Sequence, residues 1–442
     1  MDGLSIRGFP AGPIDGHPTL HGRPSSAHRA ADQGAVRLNN LSLVLRQLSA
    51  QPLQSRASIA ATTGLNKATV SSLISELIDS RLVREVGIRA GAVGRPARTL
   101  ELDGSRHAAI GLEIDVEYVA GLARDLAGRD IHSATRLFDV AGQPPDATVT
   151  ALVALVEDLQ EHIRSTGAEL AGIMVAVPGL VDMGHGLVMR APNLNAGWRE
   201  LPLAARLRAA LGEPSFSVQI ENDSNLSALA EYREGADAHA SEMVYVTGQF
   251  GVGGAVIFDG QLQRGALGFS GEVGHMVLDE SGPPCGCGRS GCWEAYVGLG
   301  ALLRRVDPAW DLTRDPAEAV EEIVRRAQAG DEATLCALSE VGKWLGVGAS
   351  ILANIFNPEV LVLGGYFTRI APWVYEVAMH ELREHVLAPD LGGCRVTFSN
   401  LGFSAPLRGG TGLVTDRILS DPGSLTRNPP VRRSPAAARA AR

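Results

Sequence analysis

The chain has 442 residues, of which 45% are hydrophobic and 20% are charged, and its formal net charge is -9. A chain of this length and composition forms two or three globular domains, which excludes disordered and fibrous proteins. The acidic balance excludes a protein that is basic throughout, as a nucleic-acid coat would be, but not a chain with one basic segment.

No stretch of the sequence has the pattern of a membrane or export segment. The first 35 residues mix His, Arg, Asp and Pro and lack the apolar core of a signal peptide. The longest apolar stretches, such as MVYVTGQFGVGGAVIF, are interrupted by glycines and polar residues and fall short of the roughly 20 residues of a membrane helix. We therefore expect a cytoplasmic protein.

Both ends of the chain are predicted to be disordered. Residues 1–35 are rich in Gly, Pro and small polar residues, and no apolar period runs through them. Residues 421–442 contain five Arg against one Asp, together with prolines that would break a helix. A solvated basic tail is the preferred interpretation of this second segment, and an arm that binds nucleic acid is the alternative.

Residues 36–102 have the pattern of a small helical domain followed by a hairpin. In the first segment, four apolar residues lie at helical spacing: Leu41, Val44, Leu45 and Leu48. Two further short helices are predicted on either side of Gly64, in SRASIAATTGL and NKATVSSLISELIDSRLV. The next segment, REVGIRAGAVGRPARTLEL, predicts two strands joined by a turn rich in Gly, Pro and Arg. This order of elements is typical of a winged helix-turn-helix.

The charge of this segment favours DNA binding. Between residues 36 and 100, nine Arg and Lys oppose three acidic residues, which leaves an excess of six positive charges. The alternative is a small dimerisation or linker domain whose basic face is merely solvated. The side chains predicted to contact DNA lie at the start of the motif's second helix and on the wing: Asn66, Lys67, Thr69, Ser72, Arg95 and Arg98. Because one winged helix contacts too few base pairs for genomic specificity, we expect a homodimer or a dimer of dimers on an inverted-repeat operator.

From residue 103 to 420 the pattern is that of an α/β domain. AAIGLEIDVEYVAGLARDLAGRDI predicts two strands, and TVTALVALVEDLQEHIRS predicts a helix with one apolar face. MVYVTGQFGVGGAVIFDGQLQRG repeats the first strand pair, with a turn at Asp259-Gly260 that matches the turn at Ala127-Gly128. Two similar halves predict duplicated lobes around a cleft.

Three of the five cysteines are crowded into CGCGRSGC. Cys285, Cys287 and Cys292 have the spacing C-x-C-x4-C, and the glycines between them let the backbone wrap around one point. His275 lies ten residues before the first of them. In a reducing compartment, three thiolates and an imidazole predict a structural Zn²⁺ site without an open position, and three buried cysteines without a metal are the alternative. The two remaining cysteines are predicted to pack in the core.

Several motifs resemble those of the ROK family, which comprises repressors and sugar kinases. In chain order they are VPGLVD, APNLNAGWRELPL, ENDSNLSALAEY, GFSGEVGHMV with CGCGRSGCWE, and LVLGG, and they span about residues 105–415. The resemblance implies an actin-like domain of two lobes that close on a sugar, and the N-terminal winged helix matches the repressor branch of the family. The family's sugar ligands fall on six positions of this sequence: Asn193, Asn222, Asp223, Glu272, His275 and Glu294.

Two turns that hold nucleotide phosphates in the family's kinases are altered in this chain. Where the kinases have Asp-x-Gly-Gly-Thr, this sequence has EIDVE, which places Glu113, Asp115 and Glu117 at the first turn. Where they have Gly-Thr-Gly-x-Gly-Gly, it has QFGVGG, in which Gln249 and Phe250 replace Gly and Thr. The added carboxylates would repel a triphosphate.

We therefore expect a sugar-responsive transcriptional repressor of carbohydrate-metabolism genes that has no catalytic residue. The alternative is an ATP-dependent hexose kinase of the glucokinase type with an appended DNA-binding domain, in which Asp223 would be the general base. A regulator that responds to a phosphorylated sugar or to a protein partner is a third interpretation, which the intact END and GEVGH motifs disfavour.

Overall fold

The computed structural model describes residues 33–88, 98–310, 316–387 and 394–423, so Arg95 and nearly all of the two predicted terminal segments lie outside the described residues. The N-terminal part consists of three helices and a hairpin: α1 (Gln33–Ala50), α2 (Arg56–Thr63), α3 (Lys67–Asp79), β1 (Val83–Ile88) and β2 (Arg98–Leu102). α1 begins inside the segment predicted to be a disordered arm, because the stretch from Gln33 to Arg37 contains no proline and a single glycine costs a helix only about 1 kcal/mol.

Caps and one left-handed glycine delimit the short helices. Ser55 accepts a hydrogen bond from the backbone N–H of Ser58 at 3.1 Å and starts α2. Gly64, whose φ is 72°, ends α2 in a conformation that suits glycine. The side chain of Asn66 accepts a bond from the N–H of Thr69 at 2.8 Å and starts α3. These local bonds fix the turn between the two helices.

The apolar faces of the three helices and the hairpin form one core. It includes all four residues predicted for the first helix, and its largest contributors are Leu41, Val44, Leu45, Leu48, Ile59, Val70, Leu73, Ile74, Leu77, Leu82, Val83 and Leu100. These apolar faces point into the core. The start of α3, from Asn66 to Ala68, lies outside the core and is exposed.

The first of two lobes is built on a five-stranded sheet with the strand order β5-β4-β3-β6-β9. Its strands are β3 (His107–Ile114), β4 (Tyr118–Asp125), β5 (Asp130–Leu137), β6 (Glu169–Val177) and β9 (Ser217–Asn222). Its further elements are α4 (Pro145–Ser165), the short hairpin of β7 (Leu180–Asp182) and β8 (Leu187–Arg190), and α5 (Leu203–Ala210). The predicted apolar face of α4 is buried against the sheet.

The second lobe is built on a five-stranded sheet with the order β12-β11-β10-β13-β14. Its strands are β10 (Glu242–Gly248), β11 (Val252–Phe258), β12 (Gln261–Leu262), β13 (Val360–Gly365) and β14 (Arg395–Phe398). Its helices are α7 (Glu294–Val297), α8 (Leu299–Val306), α9 (Pro316–Gln328), α10 (Glu332–Phe356) and α11 (Phe367–His385). They share one apolar core with the sheet.

The two sheets have the same topology. In each, the first strand pairs antiparallel with the second and parallel with the fourth, and the second pairs antiparallel with the third. The turns that follow β4 and β11 contain Gly128 and Gly260, as the repeat in the sequence predicts. The predicted α/β fold with two duplicated, actin-like lobes is confirmed.

Two helices pack tightly against each other between the two sheets: α6 (Asp223–Glu234), which also packs on β10 and β11, and α12 (Ala405–Ser420), which also packs on β3 and β6. A Cβ at Gly409 of α12 would lie 1.9 Å from the carbonyl oxygen of Leu226 in α6, so only glycine permits this approach. Arg233 of α6 and Asp416 of α12 form an ion pair. The two helices therefore form one closely packed unit.

The end of α12 also contacts the N-terminal helical domain. Ile418 and Leu419 are buried in the same apolar core as the inner face of α1, together with Leu126 from the turn after β4. Arg46 of α1 donates a hydrogen bond to the hydroxyl of Ser420 at 2.6 Å. One helix thus joins the N-terminal domain to the two-lobed domain.

Among the described residues, α10 is the one helix long and apolar enough to cross a membrane. Much of it is buried inside the second lobe, where it packs along α11, so it serves as a core helix there. Cys336 lies on its exposed face, and the prediction that this cysteine is a core residue is wrong, since the helix turns it away from the core. The matching prediction for Cys394 is confirmed, because that residue is buried.

Candidate functional site

A cleft with an empty volume of about 600 Å³ opens between the two lobes. All six side chains predicted to bind sugar line it: Asn193, Asn222, Asp223, Glu272, His275 and Glu294. They come from both lobes and are separated in sequence by as many as 101 positions, from Asn193 to Glu294. The fold thus brings together residues that the sequence could only place in order, and their role as sugar ligands stays a prediction.

On the first lobe, the junction of β9 and α6 positions two of these residues. The amide of Asn222 donates to the carbonyl of Gly179 at 3.1 Å, while its oxygen accepts from the N–H of Asn225 at 3.0 Å and caps α6. Asp223, the first residue of α6, accepts from the N–H of Ser224 at 2.7 Å. Asn222 therefore fixes the turn that presents the Asp223 carboxyl to the cleft.

Three carboxyl groups in the cleft are harder to ionise than usual, because each has a raised pKa. Burial raises the pKa of Asp223 to about 6. Burial, with the nearby charge of Asp223, also raises the pKa of Asp115 to about 6. Burial raises the pKa of Glu272 to about 7, and the charges of Asp223 and Glu294 act in the same direction. A cleft lined by several carboxyl groups suits a neutral, hydroxyl-rich ligand better than an anion.

Glu294 connects two parts of the second lobe. One carboxylate oxygen accepts the N–H of Val252, the first residue of β11, at 3.0 Å. The other lies 3.4 Å from the sulfur of Cys285. The sequence placed Glu294 beside the cysteines but did not reveal its bond to the start of β11, which lies more than 40 residues earlier.

The four predicted metal ligands meet at one point. Their ligand atoms, from His275, Cys285, Cys287 and Cys292, all lie within 4.8 Å of one another. The Cys287 and Cys292 sulfurs are 3.6 Å apart, and the Cys285 sulfur is 3.7 Å from His275 Nδ1. Ligand atoms on a tetrahedral Zn²⁺ with ordinary bond lengths are about 3.6–3.8 Å apart, so these residues fit that ion.

His275 lies between the cysteines and the cleft. Its Nδ1 faces Cys285, and its Nε2 is 3.9 Å from a carboxylate oxygen of Glu272. The two nitrogens of one imidazole therefore face the cysteine cluster and the cleft, respectively. An ion held by the cluster would therefore also fix the orientation of a side chain in the cleft.

The two altered phosphate turns contact each other. The side-chain amide of Gln249, after β10, donates to a carboxyl oxygen of Glu113, at the end of β3, at 2.7 Å. The sequence identified both residues as replacements in corresponding turns of the two halves. It could not reveal the contact, because nothing in either turn specifies the relative placement of the lobes.

The predicted DNA-contacting residues lie at the start of α3 and on the hairpin. Asn66, Lys67 and Ser72 are exposed, and Thr69 is half-buried. Arg98 is 71% exposed and pairs with Glu85 on the facing strand at 2.5 Å, which neutralises part of its charge. The structure brings the α3 residues together on one exposed helix end, and their contact with DNA stays a prediction.

A family profile and a bacterial repressor both match most of the chain. The profile of the ROK family matches residues 109–417. The xylose repressor of Bacillus subtilis (strain 168) is 32% identical over 389 residues, which cover 88% of this chain and 98% of the repressor.

Two solved structures share the fold. A ROK family transcriptional regulator, described as a homolog of the E. coli MLC protein, superposes with a TM-score of 0.71 and 23% identity, covering 88% of this chain and 98% of its own. A ROK family glucokinase from Streptomyces griseus, solved with glucose and AMPPNP, has a TM-score of 0.61 and 27% identity. That match covers 69% of this chain and 98% of the glucokinase.

Proposed function

The chain belongs to the ROK family, and on that premise we propose that it is a sugar-responsive transcriptional repressor of carbohydrate-metabolism genes. The observation that carries the proposal is the cleft, where six polar side chains from both lobes converge. The same chain also has an N-terminal helical domain. Amides and carboxylates that are held by backbone bonds can each bind sugar hydroxyls in a fixed orientation.

The N-terminal domain, residues 36–102, is the part that binds DNA. Helix α3 follows α2 across the Gly64 turn, and the hairpin of β1 and β2 forms a wing. Lys67 and Asn66 at the exposed start of α3 then contact the major groove, and Arg95 and Arg98 contact phosphates or the minor groove. Two such domains in a homodimer, or four in a dimer of dimers, read an inverted-repeat operator.

The remainder, residues 103–420, binds the sugar and relays its presence to the DNA-binding domain. Asp223 is both a cleft residue and the first residue of α6, and α6 is packed without free space on α12 at Gly409. The far end of α12 is part of the core of the DNA-binding domain. A shift of α6 on sugar binding therefore reaches α1 through rigid elements.

The cysteine cluster holds a structural Zn²⁺, because its ligand atoms have the separations of a closed tetrahedral site. Two cleft residues are attached to this cluster: His275 is one of its ligands, and Glu294 contacts Cys285. The ion would supply rigidity to this wall of the cleft rather than chemistry. In the reducing cytoplasm that we propose for this protein, the thiols stay available as ligands.

A sugar kinase is the rival function, and the family includes such enzymes. Two features support the repressor. The match to the xylose repressor covers 88% of the chain, whereas the glucokinase structure covers 69%. The turns that would hold phosphates carry Glu113, Asp115 and Gln249 in place of bare backbone, and these side chains line or close the region where a γ-phosphate would need preorganised donors.

Ligand screening of the full chain tests the proposal. We expect one free sugar to raise the midpoint of thermal unfolding. Xylose and glucose are tried first, because the similar proteins include a xylose repressor and a glucokinase. We expect the same sugar to weaken binding to operator DNA, selected from random sequences, by at least about tenfold, which is about 1.4 kcal/mol. Phosphorylated sugars and ATP should do neither. Sugar-dependent ADP release at about 1 per second or faster would contradict the proposal and support the kinase.

The two lysines of the chain provide a matched pair of control variants. Lys67→Ala should weaken operator binding and leave the sugar-induced thermal shift unchanged, because Lys67 lies at the exposed start of α3. Lys343→Ala removes an exposed lysine from α10 and should change neither property. Equal effects of the two variants on DNA binding would mean that α3 is not the DNA-contacting helix.

A further inference from the structure

The hydrogen bond between Gln249 and Glu113 joins the two lobes at the base of the cleft. Its two residues are 136 positions apart, and its length is 2.7 Å. Glu113 is on β3 and Gln249 follows β10, which are the corresponding strands of the two sheets. The bond therefore links the centres of two rigid frameworks and not two surface loops.

Both partners are held firmly in place. Glu113 is 2% exposed, and its backbone is paired with β4 on one side and β6 on the other. The N–H of Gln249 donates to the carbonyl of Gly251 at 2.9 Å, and its own carbonyl accepts from the N–H of Leu299 at 3.1 Å. Donor and acceptor are thus preorganised, and forming the bond orders few additional groups.

The surroundings of Glu113 favour its uncharged form. Burial raises its pKa well above the ordinary value, and the nearby charges of Asp115 and Asp223 act in the same direction. A neutral carboxyl accepts the amide hydrogen without leaving a buried charge unpaired. The direction of this pKa shift favours a contact between two neutral groups.

We propose that Gln249 and Glu113 form an interlobe latch that holds the lobes together in the absence of any nucleotide. The cleft is therefore already shaped for its ligand, and that ligand is an unphosphorylated sugar acting without a nucleotide. This statement of the ligand class depends on the proposed function, whereas the latch itself does not.

The distance between the lobes in the ligand-free protein tests the latch directly. Fluorophores are attached through unnatural amino acids, which spares the cysteines, at Glu200 in the first lobe and Arg325 in the second. Their side chains are 70% and 69% exposed. Labelled chains are diluted with an excess of unlabelled chains so that energy transfer between protomers is negligible. Transfer within one chain then reports closure.

Three variants separate the hydrogen bond from the bulk of the side chains. Gln249→Leu keeps the size of residue 249 but cannot donate, and we expect a lower and broader transfer efficiency. Glu113→Ala should give the same change. Glu113→Gln keeps a neutral acceptor and should behave as the unmodified chain. For a sugar that binds the unmodified chain, loss of one such bond should weaken affinity about five- to tenfold in the first two variants only.

The possible outcomes are distinguishable. Unchanged transfer in a folded Gln249→Leu chain overturns the latch, whatever the sugar response is. Altered transfer in Glu113→Gln as large as in Glu113→Ala also overturns it, since the acceptor would then not matter. If the transfer changes as expected but no sugar binds the unmodified chain, the latch stands and the proposed function fails.

Discussion

Asp115 is a carboxyl that the fold buries in an acidic cleft. It is 6% exposed, and its pKa of about 6 lies well above its ordinary value of 3.8 because burial disfavours the charged form. The folded state therefore binds the proton more tightly than the unfolded state does. The stabilisation due to this proton is complete below the ordinary pKa and is lost as the pH rises through about 6.

Replacing this carboxyl should stabilise the domain at alkaline pH. Asp115→Asn keeps an oxygen that accepts from the N–H of Val116, a bond of 2.6 Å in the present chain, and removes the buried charge. We expect a gain on the order of 2 kcal/mol at pH 8 that shrinks towards zero at pH 4. All five tryptophans lie between residues 198 and 373, so urea unfolding followed by their fluorescence reports on this domain.

The control for this experiment is Asp146→Asn, because the Asp146 side chain is 80% exposed. It should change stability little at either pH. A gain for Asp115→Asn that is equally large at pH 4 and pH 8 would show that the amide improves packing and that the charge is not the cause.

At the scale of residues, the sequence identified side chains but not their partners. The six cleft residues could be named because each lies in a short motif with a fixed order. Glu294 could not be assigned its bond to the backbone of Val252, nor Gln249 its bond to Glu113, because these contacts depend on how distant segments meet. Such long-range geometry is set by the packing of whole lobes.

Among the elements, the cysteine-bearing loop before α7 is the one whose mutation has the clearest expected effect. Removing one ligand should release the ion and loosen the wall that carries His275 and Glu294. We expect Cys287→Ser to reduce bound zinc and to abolish the effect of sugar on DNA binding. Operator binding without sugar should persist, because residues 36–102 contain no cysteine.

Elemental analysis and operator affinity with and without sugar measure the two effects. Cys336→Ser is the matched control, since this cysteine is exposed on α10 and is not part of the cluster. A Cys287→Ser chain that loses zinc yet keeps a normal sugar response would show that the cluster is a remote structural support. An unmodified chain without zinc would refute the metal assignment itself.

Most helices and strands could be predicted from local sequence patterns, because hydrophobic periodicity and turn residues act over short distances along the chain. The apolar face of α4, the turn at Gly64 and the repeated strand pairs are each encoded within about 20 residues, where periodicity and turn chemistry act. The position of α12 is different. Its sequence carries several glycines and a weak apolar period, and their purpose emerges only from the contact of Gly409 with α6 and of Ile418 with α1.

At the scale of the whole molecule, one DNA-binding domain has too small a surface for a unique genomic site. We therefore expect footprinting to reveal an inverted repeat, with half-site centres about one helical turn of DNA apart or a multiple of that spacing. Light scattering of the complex should give two or four chains per operator. Protection of a single asymmetric half-site by one chain would contradict this expectation.

The contact of α12 with α1 also has a consequence for how the chain is made. A ribosome completes residues 33–102 early, yet Ile418 and Leu419, which belong to the same apolar core, emerge some 300 residues later, after both lobes. During translation, part of the apolar core of the N-terminal domain therefore stays exposed until the end of α12 has been synthesised. The N-terminal domain can dock only after both lobes have been synthesised, so a prematurely terminated chain lacks the surface on which that domain packs.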